Sequence, residues 1–149
     1  ILALPSDSVT RNRFVGGITY TTESKTSITA EYQYNGFGIG QASFAALGAT
    51  QGAQFAYVTG ALRLQELAPR QAILVYVSHK DIWIKNLDLN AYIRYSPGDK
   101  SKLAWFELRH HWADFDLTFQ LQQNIGRRNS EFGLLPDRRL IQAAGTYYF

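Results

Sequence analysis

Neither cysteine nor methionine occurs in this sequence of 149 residues. Without a thiol there is no disulfide scaffold, no thiolate zinc site and no cysteine nucleophile. The missing initiator leads to the expectation of a processed or partial chain. Charge is sparse as well: 18% of the residues are Asp, Glu, Lys or Arg, and the net charge of +3 is spread along the chain rather than gathered. Nucleic acid is therefore not expected as a partner. No stretch is long and apolar enough for a convincing membrane-spanning helix. The nearest candidate, 32–62, is uncharged but carries Gly36, Gly38, Gly40, Gly48, Gly52 and Gly60 with several Gln. Catalytic signatures are missing too: there is no Gly-rich phosphate loop, no G-x-S-x-G elbow and no paired-carboxylate motif. Of the three histidines, His110 and His111 are neighbours that a strand would point to opposite faces, and His79 is distant, so no metal site is expected. No cofactor is implied.

What the chain has is apolar mass and alternation. Apolar residues make up 46% of it, with nine Phe, nine Tyr and three Trp, enough for an ordered fold rather than a disordered one. Period-2 patterning runs from end to end. In 12–22, Phe14, Gly16, Ile18 and Tyr20 share one face and Val15, Gly17, Thr19 and Thr21 the other. Past Glu23-Ser24-Lys25, Ile28, Ala30, Tyr32 and Tyr34 alternate with Thr29, Glu31 and Gln33. The same holds over 84–95, 102–112, 115–122 and 139–149, while 71–79 is apolar on both faces and leaves its orientation open. This predicts an all-β single domain over 1–149 with seven strands of about 9–11 residues, the length a tilted strand needs to cross a bilayer and longer than an ordinary soluble strand.

Alternation alone leaves two architectures open, a soluble barrel or sandwich with its apolar face inside and a membrane barrel with that face outside. Three features favour the second. Aromatics gather near the strand ends on the apolar faces (Tyr20, Tyr34, Tyr95, Trp112, Phe115, Tyr147, Phe149), as interfacial girdles require. The opposite faces are rich in Thr, Gln and Asn, suited to a crowded wet lumen. The final segment runs as a strand to an aromatic last residue.

That final segment, Ile141-Gln142-Ala143-Ala144-Gly145-Thr146-Tyr147-Tyr148-Phe149, resembles the C-terminal strand of Gram-negative outer-membrane β-barrel proteins. The matching positions are Ile141, Ala143, Gly145, Tyr147 and the terminal Phe149. The resemblance implies an antiparallel up-and-down transmembrane β-barrel of porin-like type in the bacterial outer membrane, with Phe149 part of the signal read by the barrel assembly machinery. It also implies a periplasmic C-terminus, short periplasmic turns and longer outer loops. Counting back from Phe149 places the long segment 36–70, with a short helix expected near 54–65, and the loop 124–139 outside. The first strand then starts outside, so upstream strands or other chains are expected to complete the barrel. An alternative count makes 54–65 an eighth strand that closes the barrel by itself. The function implied is passive transport or a channel component. The alternatives are a barrel that scaffolds a partner and a barrel hydrolase acting on lipid or protein.

Two constellations bear on that choice. A two-residue turn at Ala113-Asp114 places His111 opposite Asp116, Arg109 opposite Thr118 and Glu107 opposite Gln120. The turn at 96–101 places Asp88 opposite Arg109 and Asn90 opposite Glu107. Directly opposed residues are about 5 Å apart, so ion pairs are expected. With Glu31 and Arg94 these residues form the candidate lumen lining: Glu31, Asp88, Arg94, Glu107, Arg109, His111 and Asp116. A His-Asp catalytic pair is the rival reading, but a polar interior needs such a network in any case, and no catalytic residue is assigned. Arg127, Arg128, Arg138 and Arg139 flank the last outer loop, where guanidinium forks suit lipopolysaccharide phosphates. A solvated basic loop accounts for them equally well.

Overall fold

The computed structural model describes residues 11–50, 52–64 and 68–149. Seven strands form: β1 (Arg13–Thr21), β2 (Thr26–Asn35), β3 (Gln71–His79), β4 (Leu87–Ser96), β5 (Ser101–His111), β6 (Phe115–Ile125) and β7 (Arg139–Tyr147). They make one antiparallel meander in the order β1-β2-β3-β4-β5-β6-β7. Two helices, α1 (Gln41–Leu47) and α2 (Ala53–Arg63), lie between β2 and β3.

The alternation translates directly into two faces. Ile28, Val77, Ala91 and Phe106 follow one another across four strands, and Phe106 is followed by Leu121 and Ile141. The other face carries Thr29, Tyr76, Tyr92, Trp105 and Gln122 in the same manner. Pairing with β2 settles the doubly apolar β3: Ile73, Val75 and Val77 join the apolar face, while Leu74, Tyr76 and Ser78 join the polar one.

Short turns (22–25, 80–86 and 112–114) gather at one end of the sheet, and the long connections 36–70 and 126–138 gather at the other with the turn 97–100. At the short-turn end Lys25 pairs with Asp81, which raises the Lys25 ammonium and lowers the Asp81 carboxyl from their ordinary values. The 36–70 connection returns on itself where Ile39 bridges Pro69. Only glycine fits beside that bridge at Gly38, since a Cβ there would lie 2.5 Å from the Pro69 carbonyl oxygen.

The expected helix near 54–65 forms, and the alternative eighth strand, with the eight-stranded closed barrel it would complete, does not. Most of that segment is α2, whose Val58 is buried. The physical reason is that β2 already pairs with β3 along its whole length, so no ladder position is left for it. The sheet is open: β1 and β7 are its two edges and do not pair with each other. The last loop is also shorter than expected, since β6 extends to Ile125 and Arg139 opens β7 opposite Gln123.

Candidate functional site: the polar face and its loop cap

All seven candidate lining residues fall on one face of the sheet. Glu31 leads through Leu74 to Arg94, and Asp88, Glu107, Arg109, His111 and Asp116 occupy the same side of β4, β5 and β6. The expected registers hold: His111 is opposite Asp116, Arg109 opposite Thr118, Glu107 opposite Gln120, Asp88 opposite Arg109 and Asn90 opposite Glu107.

Glu107 is the hub, only 4% exposed although it stands on a single-layer sheet. It accepts from Asn90 Nδ2 at 3.1 Å, Gln120 Nε2 at 2.6 Å and Arg109 Nη2 at 3.3 Å. Asn90 in turn accepts from the Tyr76 hydroxyl at 2.8 Å. Three donors on one carboxylate satisfy a charge that would otherwise be costly to bury. Beside the hub the Tyr92 and Trp105 rings stack 5.3 Å apart, with Tyr76 on the next strand. Farther along, Gln33 donates to Glu31, and the hydroxyls of Thr19 and Thr29 meet at 2.8 Å.

One expected pair differs. Arg109 lies across from Asp88 but leans along its own strand to Glu107. Register fixes which Cβ atoms meet, while a long guanidinium stem reaches the more strongly buried carboxylate. Asp88 instead accepts from the Asp81 amide at 3.2 Å and lies 3.6 Å from His111 Nε2. His111 Nδ1 lies 2.9 Å from Asp116, whose other oxygen accepts from the Tyr148 hydroxyl at 3.0 Å. The imidazole is thus held between two carboxylates.

Catalysis by this pair would need a nucleophile, and no hydroxyl among the described residues bonds His111. His79 does meet one, Thr26 Oγ1 at 2.6 Å, yet no carboxylate among the described residues orients that ring. No group of three or more acidic or histidine side chains among the described residues is placed to hold a metal ion.

The long-loop end of the polar face is covered. Ser96, Ser101 and Ala72 are almost wholly buried there. Loop 126–138 folds inward: the Ser130 hydroxyl donates to the Arg127 carbonyl at 2.7 Å, and the Glu131 amide donates to Asp99 at 2.6 Å. Phe132 is buried under the Arg94 guanidinium, 5.6 Å from the ring centre. Arg94 therefore pairs with Glu131, at 3.3 Å, and not with a neighbouring strand. Burial pushes the Glu131 carboxyl up to about 7, while Arg94 lowers it and Asp99 raises it further.

Glu131, Asp99 and the Tyr92–Trp105 stack were not among the sequence-derived site residues. Two signals pointed to them. Tyr92 and Trp105 are aromatics on the polar side of the alternation, and Glu131 is one of two acids in a loop flanked by arginines. Those arginines, Arg127, Arg128, Arg138 and Arg139, are exposed and pair with no carboxylate among the described residues. The terminal motif lies along the β6 edge, where Gly145 makes room for the Phe115 ring: a Cβ would lie 3.0 Å from it. Tyr147 and Phe149 stand exposed with ring centres 5.8 Å apart. No protein-family profile matches the chain, and no curated protein or solved structure is significantly similar to it.

Proposed function

We propose that this chain forms part of the wall of a Gram-negative outer-membrane β-barrel, with its apolar face toward lipid and its polar face lining a hydrated lumen for passive passage of small solutes. The observation that carries the reading is inverted burial. On β6, Leu117 and Phe119 are 45% and 42% exposed, while the alternating Asp116 and Thr118 are sheltered. On β2, Ile28, Ala30 and Tyr32 are exposed and Thr29, Glu31 and Gln33 are not. A water-soluble barrel would reverse this order.

The dimensions agree. From Lys102 to Trp112, one residue past the end of β5, the apolar face covers ten residue steps, about 33 Å along the strand, or about 25 Å in height at a 40° tilt. Lys102, Gln123 and Arg139 bound that band at the long-loop end. In this orientation the four flanking arginines lie where outer-leaflet lipopolysaccharide phosphates would meet them. Phe149 would serve the assembly machinery. The lining acids are largely paired with donors, so weak ion selectivity is expected.

A second reading, a barrel that scaffolds a partner, is favoured by one observation: loops cover the long-loop end of the polar face. Conductance in planar bilayers separates the two. Discrete current steps of low selectivity support the channel, and a folded, inserted protein without current supports the scaffold. A monodisperse protein in detergent-free buffer would overturn both.

A further inference from the structure

Strand β2 ends in a turn that carries Phe37 outward. The Asn35 side chain accepts from the Phe37 amide at 3.1 Å, and the Gly36 amide donates to the Asn12 carbonyl at 2.9 Å. The second bond brings the start of β1 alongside the turn. The guanidinium carbons of Arg13 and Arg11 consequently stand 4.7 Å and 5.9 Å from the centre of the Phe37 ring. Both distances are within the reach at which a ring face holds a cation. Arg11, Arg13 and Phe37 are all exposed.

Phe37 forms one wall of an open groove of about 380 Å³, and α2 forms the other. That volume lies at the lower end of the range for small-molecule sites. Ala56, Gly60 and Leu64 recur at four-residue spacing and make one row along the helix and its C-cap, with Tyr57 and Ala61 beside it. At 1.5 Å per residue the row is about 12 Å long, which suits a medium-chain acyl tail. Its small side chains leave the trough open: no atom lies within 4 Å of where a Gly60 Cβ would stand.

The lining is apolar, and its polar groups serve the loop itself. The Tyr57 hydroxyl donates to the Ala68 carbonyl at 2.8 Å and accepts from the Ile39 amide at 3.3 Å, while Asn35 holds the Phe37 turn. Phe37 and Leu64, at the two sides, are 49% and 75% exposed, apolar surface that a tail laid between them would take out of water. No carboxylate lines the groove among the described residues, so an ammonium finds no partner in it. The charge beside it is positive, on the Phe37 wall. A guanidinium that rests on a ring by its face still presents its in-plane N–H fork to a carboxylate.

We propose that this groove binds a medium-chain fatty-acid anion, its tail along Ala56, Gly60 and Leu64 against the Phe37 ring and its carboxylate at Arg11 and Arg13. The groove is built by the 36–70 connection and the start of β1, and it does not depend on whether the sheet lines a channel.

The test is photo-crosslinking of the full chain in amphipol, which leaves no micelles to compete, with decanoic acid carrying a diazirine near its methyl end. Label is expected within 35–64 by peptide mass spectrometry. Decanoate, decanol and decyltrimethylammonium share the tail and differ in the head, and decanoate should displace the label at about tenfold lower concentration than either. Arg11→Gln with Arg13→Gln should level the three competitors. Gly60→Trp should abolish the label by filling the trough, in a helix that gains propensity from the change. If the arginine variant misfolds, the wild-type competition and Gly60→Trp still decide. Equal displacement by all three competitors, label outside 35–64, or label undiminished in Gly60→Trp overturns the proposal.

Discussion

Glu131 and Glu107 are both buried carboxylates, and they differ in how many donors reach them. Three side chains bond Glu107, while Glu131 has Arg94 on one oxygen and nothing on the other. Burial is the dominant influence on Glu131, which raises its folded value from the ordinary 4.5 to about 7. A carboxyl raised on folding favours the folded loop when protonated. Its stabilising contribution is therefore complete below about 4.5 and is lost as the pH rises through about 7, a swing of about 3 kcal/mol in the stability of the 126–138 loop. A carbon-13 titration should place the Glu131 midpoint near 7, and Glu131→Gln should flatten the pH dependence of loop protection against amide exchange. A midpoint near 4.5 would mean a solvated carboxyl. Glu107 was legible in the sequence because a two-residue turn determines what it faces. Glu131 was not, since a loop has no period from which burial is read.

At the scale of elements, turn length and alternation explain why so much was readable. The short turns at 112–114 and 97–100 leave one way to pair their strands, and a slip by one residue would turn an entire apolar set over. Helix α2 was readable because Phe55, Val58 and Leu62 repeat at helical spacing. What alternation does not report is the medium that each face meets, and substitutions supply that. Phe119→Arg at the centre of the apolar band should cost about 2–4 kcal/mol and block insertion if the face meets lipid. Gln122→Arg on the polar face should be tolerated. Were the apolar face in water, the first change would be harmless or would improve solubility, which urea midpoints of the refolded variants in detergent and in buffer resolve. The terminal strand carries a separate expectation. The Tyr148 amide still bonds the Asp114 carbonyl at 2.9 Å, whereas Phe149 is free of packing beyond the Tyr147 ring. Phe149→Asp should therefore leave refolding in detergent nearly unchanged while lowering the amount of folded protein in the outer membrane of cells. Normal membrane yield would remove the assembly-signal reading.

The whole molecule raises the question of its two edges. An open strand edge in lipid leaves backbone groups unsatisfied at several kcal/mol each, so a sheet that spans a bilayer must close. With seven strands in a meander, β1 and β7 run in the same direction. An antiparallel closure consequently takes an odd number of strands from outside these seven. Copies of the sheet alone do not supply it. Joined head to tail they meet β7 to β1 in parallel, and joined edge to like edge they become antiparallel only by inverting the loops of one copy across the membrane. If the sheet spans a bilayer with antiparallel closure, the closing strand therefore comes from outside these seven. The alternate amides of β1 that point away from β2, and those of β7 that point away from β6, should exchange as slowly in the membrane-embedded protein as the amides shared by β4 and β5. Rapid exchange confined to those two edges, in protein shown to be inserted, would mean that the sheet is not closed and that its polar face does not line an enclosed lumen.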